Sequence, residues 1–180
     1  MNELLTYFER NTGGLIHKWG HYFDIYDFHL SKMRGSAKTL LEFGVSHGGS
    51  LQMWKHYFGK DIKIYGVDIN PHCKKLEENQ VSIFICDQSD RGSLKQLAEK
   101  LPLIDILIDD GGHTMQHQIN TFEIFFPRVA PEGIYICEDL HTSYRPKFGG
   151  GCRRKGTFIE YHCCPKSFQD EYSASVISIR

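Results

Sequence analysis

One stretch limits the fold more than any other: Ile104–His113, I-D-I-L-I-D-D-G-G-H. Ile104, Ile106, Leu107 and Ile108 form an apolar run of the length expected for a strand buried on both faces, as in a parallel sheet covered by helices. The run stops abruptly at two carboxylates, two glycines and a histidine. In open α/β sheets, ligands sit beyond the carboxyl ends of the strands. Asp109, Asp110 and His113 therefore fall where a site belongs. A second run, Gly133–Cys137, repeats the design and delivers Glu138, Asp139 and His141. Carboxylates gathered at two neighbouring strand ends repel unless a proton or a cation intervenes. A divalent metal is the simplest remedy.

The rest of the chain alternates in the same way. Thr39–Phe43 reads as the first strand, followed by G-V-S-H-G-G-S and a helix over Leu51–Phe58. Ile62–Val67 is the second strand and ends at Asp68. Pro71 opens a helix reaching about Asn79, since proline is tolerated in a first turn. Val81–Cys86 is the third strand and leads into Asp87-Gln88-Ser89-Asp90. Residues 91–100 and Met115–Phe126 read as helices on either side of the central strand, and Gly133–Cys137 is the fifth strand. Five strand–helix alternations predict an α/β fold with a doubly wound, mostly parallel, Rossmann-like sheet. A glycine-rich loop between strand and helix lets backbone amides approach a ligand beside the positive end of the helix dipole. Asp68, 19 residues after Gly49, sits at the interval where a strand-end acid meets a ribose. By itself, this pattern fits a nicotinamide dinucleotide as well as any other nucleoside cofactor.

Residues 1–34 read as an amphipathic helical segment, with Leu4, Leu5, Phe8, Leu15, Trp19, Tyr22 and Phe23 recurring at helical spacing and a break at Asn11-Thr12-Gly13-Gly14. The division expected is a helical lid over 1–34 and a core over 35–180, one domain overall. The aromatic run His17–Tyr26 has two readings. It packs on the sheet edge, or it is a lid whose Lys18, His21 and Tyr22 face a cofactor or substrate.

A formal net charge of −1 gives no electrostatic reason to expect nucleic acid or a membrane surface as partner. The apolar runs fall well short of the roughly 20 residues of a membrane span. The first ten residues lack the basic start and apolar centre of a signal peptide, so a cytoplasmic protein is expected. The six cysteines include no C-x-x-C and are expected to be reduced thiols.

E-F-G-V-S-H-G-G-S, then Y-G-V-D-I-N-P, then C-D-Q-S-D resemble the successive motifs of class I S-adenosylmethionine-dependent methyltransferases. I-D-D-G-G-H-T-M-Q-H-Q, I-C-E-D-L-H-T-S-Y-R-P-K-F-G-G-G and N-T-G-G-L-I-H-K-W-G-H-Y narrow the resemblance to metal-dependent O-methyltransferases acting on macrolide sugars. Some relatives of that group carry a cephalosporin hydroxylase label. The resemblance covers about residues 5–160. It implies that Gly44, Ser46, Gly48 and Ser50 shape the pocket for the methionine part of S-adenosylmethionine. Asp68 would hold the ribose, with Asp87 and Gln88 near the adenine. Asp110, Glu138 and Asp139 match the acids that bind Mg²⁺, and His113 matches the general base, a role for which imidazole is suited. The acceptor implied is a small molecule bearing a sugar or glycoside hydroxyl, and the group's tendency implies a homo-oligomer.

Two alternatives stay open. His117, one turn beyond His113, could join it in an iron site of two histidines and a carboxylate, which would make the protein a hydroxylase. The C-terminus supplies the other. Class I methyltransferases finish with an antiparallel strand pair, whereas Ser173–Ile179 offers a single strand, after the atypical C-C-P-K-S-F-Q-D-E-Y. The expectation is therefore a shortened C-terminus with an open sheet edge, and a cofactor-binding module impaired in catalysis would look the same. Asp109 is expected to be structural or on the cofactor side. Arg153-Arg154-Lys155, after Gly149-Gly150-Gly151, reads as a solvated basic loop or as a contact for an anionic acceptor.

Overall fold

The computed structural model describes residues 2–163 and 175–178. They fall into two compact units, Met1–Ile85 and Cys86–Arg180.

In the first unit, three parallel strands carry the core: β1 (Thr39–Phe43), β2 (Lys63–Asp68) and β3 (Val81–Ile85), with β2 between the other two. The register pairs Phe43 with Val67, so the loops leaving β1 and β2 emerge side by side. Three helices accompany them. α1 (Glu3–Arg10) is capped by the Asn2 side chain, which accepts a hydrogen bond from the Leu5 amide at 3.0 Å. α2 (Tyr22–Leu30) buries Tyr22, Phe23, Tyr26 and Leu30, and α3 (Gly49–Phe58) buries Leu51, Met53, Trp54 and Tyr57. Tyr26 meets Trp54 edge to face at 5.3 Å, a favoured aromatic geometry.

The helical spacing expected across 15–23 holds only from Tyr22 onward. Residues 11–21 form neither helix nor strand, and Leu15 and Trp19 are 58 % and 57 % exposed. Gly13, Gly14 and Gly20 remove helix propensity from that segment. The helix expected over Pro71–Asn79 is a shorter 3₁₀ turn, Pro71–Leu76, capped by Asn70. It ends there because the chain reverses, with Glu78 bridging Val81 and Gln80 at φ +73°.

The second unit holds β4 (Ile104–Asp109), β5 (Val129–Cys137) and β6 (Ser175–Ser178), again parallel, with β5 central. α4 (Arg91–Lys100) starts at Asp90, whose carboxylate accepts from the Gly92 and Ser93 amides, and it buries Leu94 and Leu97. α5 (Met115–Phe125) packs Phe122 edge to face on Tyr135 of β5. α6 (Phe158–Cys163) adds Phe158 to the same aromatic cluster. β5 begins four residues before the Gly133 expected. Its register with β4 jumps from Ile104–Val129 to Ile106–Ile134, so residues 130–133 bulge, with Pro131 lacking a donor and Glu132 at φ +63°. The late strand lies inside the expected Ser173–Ile179 and runs parallel to β5. Cys164-Pro165-Lys166 and the residues up to 174 lie outside the described residues.

Candidate functional site

In the first unit the site is built on the β1–α3 loop. Gly44, Ser46 and Gly48 all have positive φ (+93°, +48° and +75°), which folds residues 44–48 into a tight cradle at the start of α3. Asp68 clasps this cradle: its Oδ2 accepts from the amides of Val45 and Ser46, each at 2.9 Å, and its Oδ1 accepts from the Asn70 amide at 2.8 Å. The acid expected at a ribose thus first fixes the loop beside it. Ser50 points inward, donating to the buried carboxylate of Glu42 at 2.8 Å. Residues 13–15 lie across the start of α3. A Cβ on Gly49 would collide with the carbonyl oxygens of Gly14 and Leu15, at 2.5 Å from the latter.

In the second unit, the register that pairs Asp109 with Cys137 sets Asp110 and Glu138 level beyond the strand ends. Asp110, His113 and Asp139 converge there, and each offers a ligand atom within 4.8 Å of the others. His113 Nε2 lies 3.7 Å from Asp110 Oδ1 and 3.6 Å from Asp139 Oδ2, and His141 Nδ1 lies 3.8 Å from Asp139 Oδ1. These separations exceed hydrogen-bond lengths. His113 and Asp139 both adopt left-handed backbone, φ +54° and +55°, costing about 1–2 kcal/mol each for an L-residue. Two strained residues in one cluster of donors fit a cation site. Glu138, expected as the third acid, is 1 % exposed and stands outside this group. His117 is outside it as well. Thr114 caps α5, accepting from the His117 amide.

The D-D-G-G-H loop owes its shape to Gln88. This side chain, 8 % exposed, donates to Asp109 Oδ1 at 2.9 Å and to Thr121 Oγ1 at 2.8 Å, and accepts from the Gly112 amide at 2.7 Å. Asn120 donates to the Gln88 carbonyl at 2.9 Å. A Cβ on Gly111 would strike the Gln88 amide group, and one on Gly112 would strike the His117 ring. A side chain at either position would displace one of these groups. Asp87 turns onto the Ser89 amide at 2.7 Å, and that hydrogen bond holds its carboxyl below the usual carboxylate range. Gln88, expected near the adenine, supports the loop that carries Asp110 and His113.

Asp109 is fully buried, accepting also from Tyr135 Oη at 3.0 Å, and burial pushes its carboxyl up to about 7. A folded-state value above the ordinary 3.8 means that the folded protein holds a proton which the unfolded chain releases. The resulting stability is complete below about pH 4 and is lost as pH rises to about 7, at about 1 kcal/mol per unit, then levels off. Asp109→Asn should flatten this slope. Urea midpoints at roughly pH 5 and roughly pH 8 in EDTA check it; equal slopes in the two proteins would contradict the assignment.

Glu42 is a further buried acid near the cradle, and its sequence signal is a lone carboxylate inside the apolar T-L-L-E-F. Its partner is Lys18, 3.4 Å away, with both side chains buried. His21 and Tyr22 stack edge to face at 4.7 Å, and Tyr22 is wholly buried.

The profile of a methyltransferase-domain family matches residues 41–140, which span both the glycine-rich cradle and the acidic cluster. The chain belongs to this methyltransferase family. Its relatives include the 8-demethyl-8-alpha-L-rhamnosyl tetracenomycin-C 2'-O-methyltransferase of Streptomyces olivaceus, 43% identical over 142 residues, covering 74% of this chain and 37% of that protein. The demethylmacrocin O-methyltransferase of Streptomyces fradiae is 41% identical over 146 residues, covering 76% of this chain and 36% of its own length. Among solved structures, the MycE methyltransferase of the mycinamycin biosynthetic pathway, in complex with Mg, SAH and mycinamycin VI, superposes with a TM-score of 0.76 at 33% identity. That match covers 89% of this chain and 43% of MycE. The methyltransferase domain described here thus spans somewhat over a third of the length of its curated relatives. Its fold class is the doubly wound, mostly parallel α/β class expected from the sequence. Among the described residues, no helix is long and apolar enough to cross a membrane.

Proposed function

We propose that this chain carries the Mg²⁺-dependent transfer of a methyl group from S-adenosylmethionine to a hydroxyl of a sugar or glycosylated natural product. The observation that carries the reading is the convergence of Asp110, His113 and Asp139 at consecutive strand ends, in a chain whose relatives are named as O-methyltransferases, one of them of a rhamnosyl tetracenomycin. The two carboxylates suit a hard divalent cation, which takes oxygen ligands, and the imidazole beside them is placed to act as the base. When bound, the metal would neutralise the acids and acidify the acceptor hydroxyl, and S-adenosylmethionine would supply the methyl group.

The chain's own residues do the rest. Asp110 and Asp139 hold the metal, and Glu138, buried, follows Cys137 at the end of β5. His113 takes the hydroxyl proton on Nε2, the nitrogen that faces both acids. Its Nδ1 is buried and has no hydrogen-bond partner among the described residues. Gly44, Ser46, Gly48 and Asp68 shape the cofactor cradle. Positioning supplies most of the catalysis, because a sulfonium methyl needs alignment and a deprotonated acceptor more than covalent help. His117, the second histidine that the iron hydroxylase site would need, lies outside the group formed by Asp110, His113 and Asp139.

The test is transfer of labelled methyl from S-adenosylmethionine to rhamnosyl glycosides. Product is expected with Mg²⁺ and not with EDTA. His113→Asn keeps a residue tolerant of left-handed backbone and removes the base, so kcat should fall by about 10²–10⁴-fold. Transfer undiminished by EDTA would overturn the metal-dependent reading.

A further inference from the structure

Lys18 and Glu42 form an ion pair sealed inside the first unit. Their side chains are 1 % and 0 % exposed, and Lys18 Nζ lies 3.4 Å from Glu42 Oε1. The other carboxylate oxygen accepts from Ser50 Oγ at 2.8 Å, and Lys18 Nζ also sits 5.8 Å from the centre of the Tyr26 ring. Such a pair is an inefficient stabiliser: desolvation offsets most of the attraction, and an apolar pair of similar volume often serves as well. Its position points to another role.

Glu42 is the penultimate residue of β1, two before Gly44, and Ser50 is the second residue of α3. The carboxylate therefore ties together the two elements that flank the glycine-rich cradle. Lys18 belongs to residues 11–21, a strap without helix or strand, which crosses the cradle on its way from α1 to α2. Gly14 and Leu15 lie so close to Gly49 that neither glycine admits a side chain; a Cβ on Gly14 would come 2.6 Å from the His47 carbonyl oxygen. The start of the strap is curled by Asn11, which donates to the Gly14 carbonyl and accepts from the Gly13 amide. Its far end is held by Lys18.

We propose that Lys18 is a positioning residue for the cofactor: its buried pair with Glu42 clamps strap 11–21 onto the loop 44–48 and keeps that loop shaped for S-adenosylmethionine. This rests on the cofactor site proposed above. Lys18→Met alone leaves a buried carboxylate without its cation and risks unfolding. The informative variant is Lys18→Met/Glu42→Gln, which is neutral and still offers Ser50 an acceptor.

The full chain is titrated with S-adenosylmethionine and, separately, with Mg²⁺, and amide exchange across residues 11–18 is followed with and without cofactor. The double variant should fold, bind Mg²⁺ as wild type does, and bind S-adenosylmethionine about tenfold or more weakly. The cofactor should slow strap exchange in wild type and not in the variant. A merely structural role would lower thermal stability and leave the affinity of the folded protein unchanged. Lys18→Arg, which keeps the cation, should bind the cofactor within about threefold of wild type. A folded double variant with wild-type cofactor affinity overturns the clamp alone, and so does Lys18→Arg losing affinity as fully as the double variant. A wild-type protein that binds no S-adenosylmethionine overturns the clamp together with the methyltransferase reading.

Discussion

The Asp139→Asn variant is expected to lose methyl transfer by about two to three orders of magnitude while keeping its fold. The substitution is clean for a local reason. Asp139 sits at φ +55°, a conformation that asparagine tolerates nearly as well as any residue other than glycine. Its backbone carbonyl, which accepts from the Thr142 amide at 2.9 Å and the Thr142 hydroxyl at 2.8 Å, is untouched. What disappears is one negative charge 3.6 Å from His113 Nε2. Mg²⁺ affinity should fall in step with turnover, read by calorimetry and by initial rates at saturating Mg²⁺. Full activity in this variant would remove Asp139 from the metal set.

The second large effect belongs to Gly49. An alanine there forces its methyl group into the carbonyls of Gly14 and Leu15, and backbone atoms cannot rotate aside as a side chain can. Overpacking of this kind costs about 1–3 kcal/mol. The strain should fall on the strap, because residues 11–21 form neither helix nor strand while Gly49–Phe58 is a continuous helix. Gly49→Ala is therefore expected to lower the urea midpoint and to weaken S-adenosylmethionine binding together. A variant with wild-type stability and affinity would show that the strap does not press on α3.

The sequence made much of the frame legible, and the departures have physical causes. Strand β1 and helix α4 run over the residues expected, because apolar strand positions, an Asp cap and helical spacing agree there. Leu15 and Trp19 misled, since two apolar residues four apart mimic a helix face even where glycines prevent one. The bulge of β5 could not be read, because Ala130-Pro131-Glu132 resembles a loop and only its neighbour β4 makes it strand. The acids at the ends of β4 and β5 were legible from an abrupt change of polarity. Which of them converge was not: Glu138 and Asp139 are adjacent in sequence, yet the left-handed turn at Asp139 sends only its carboxylate to His113. Gln88 and Glu42 were harder still. Each acts through partners more than twenty residues away or on another element, a relation no local pattern carries.

The measurement that bears most directly on the central claim is calorimetric titration of S-adenosylmethionine into the purified chain, with Mg²⁺ and then with EDTA. Saturable binding is expected at one site per chain, together with a separate Mg²⁺ isotherm that disappears in Asp139→Asn. A folded protein that binds neither would contradict the methyltransferase reading of this chain.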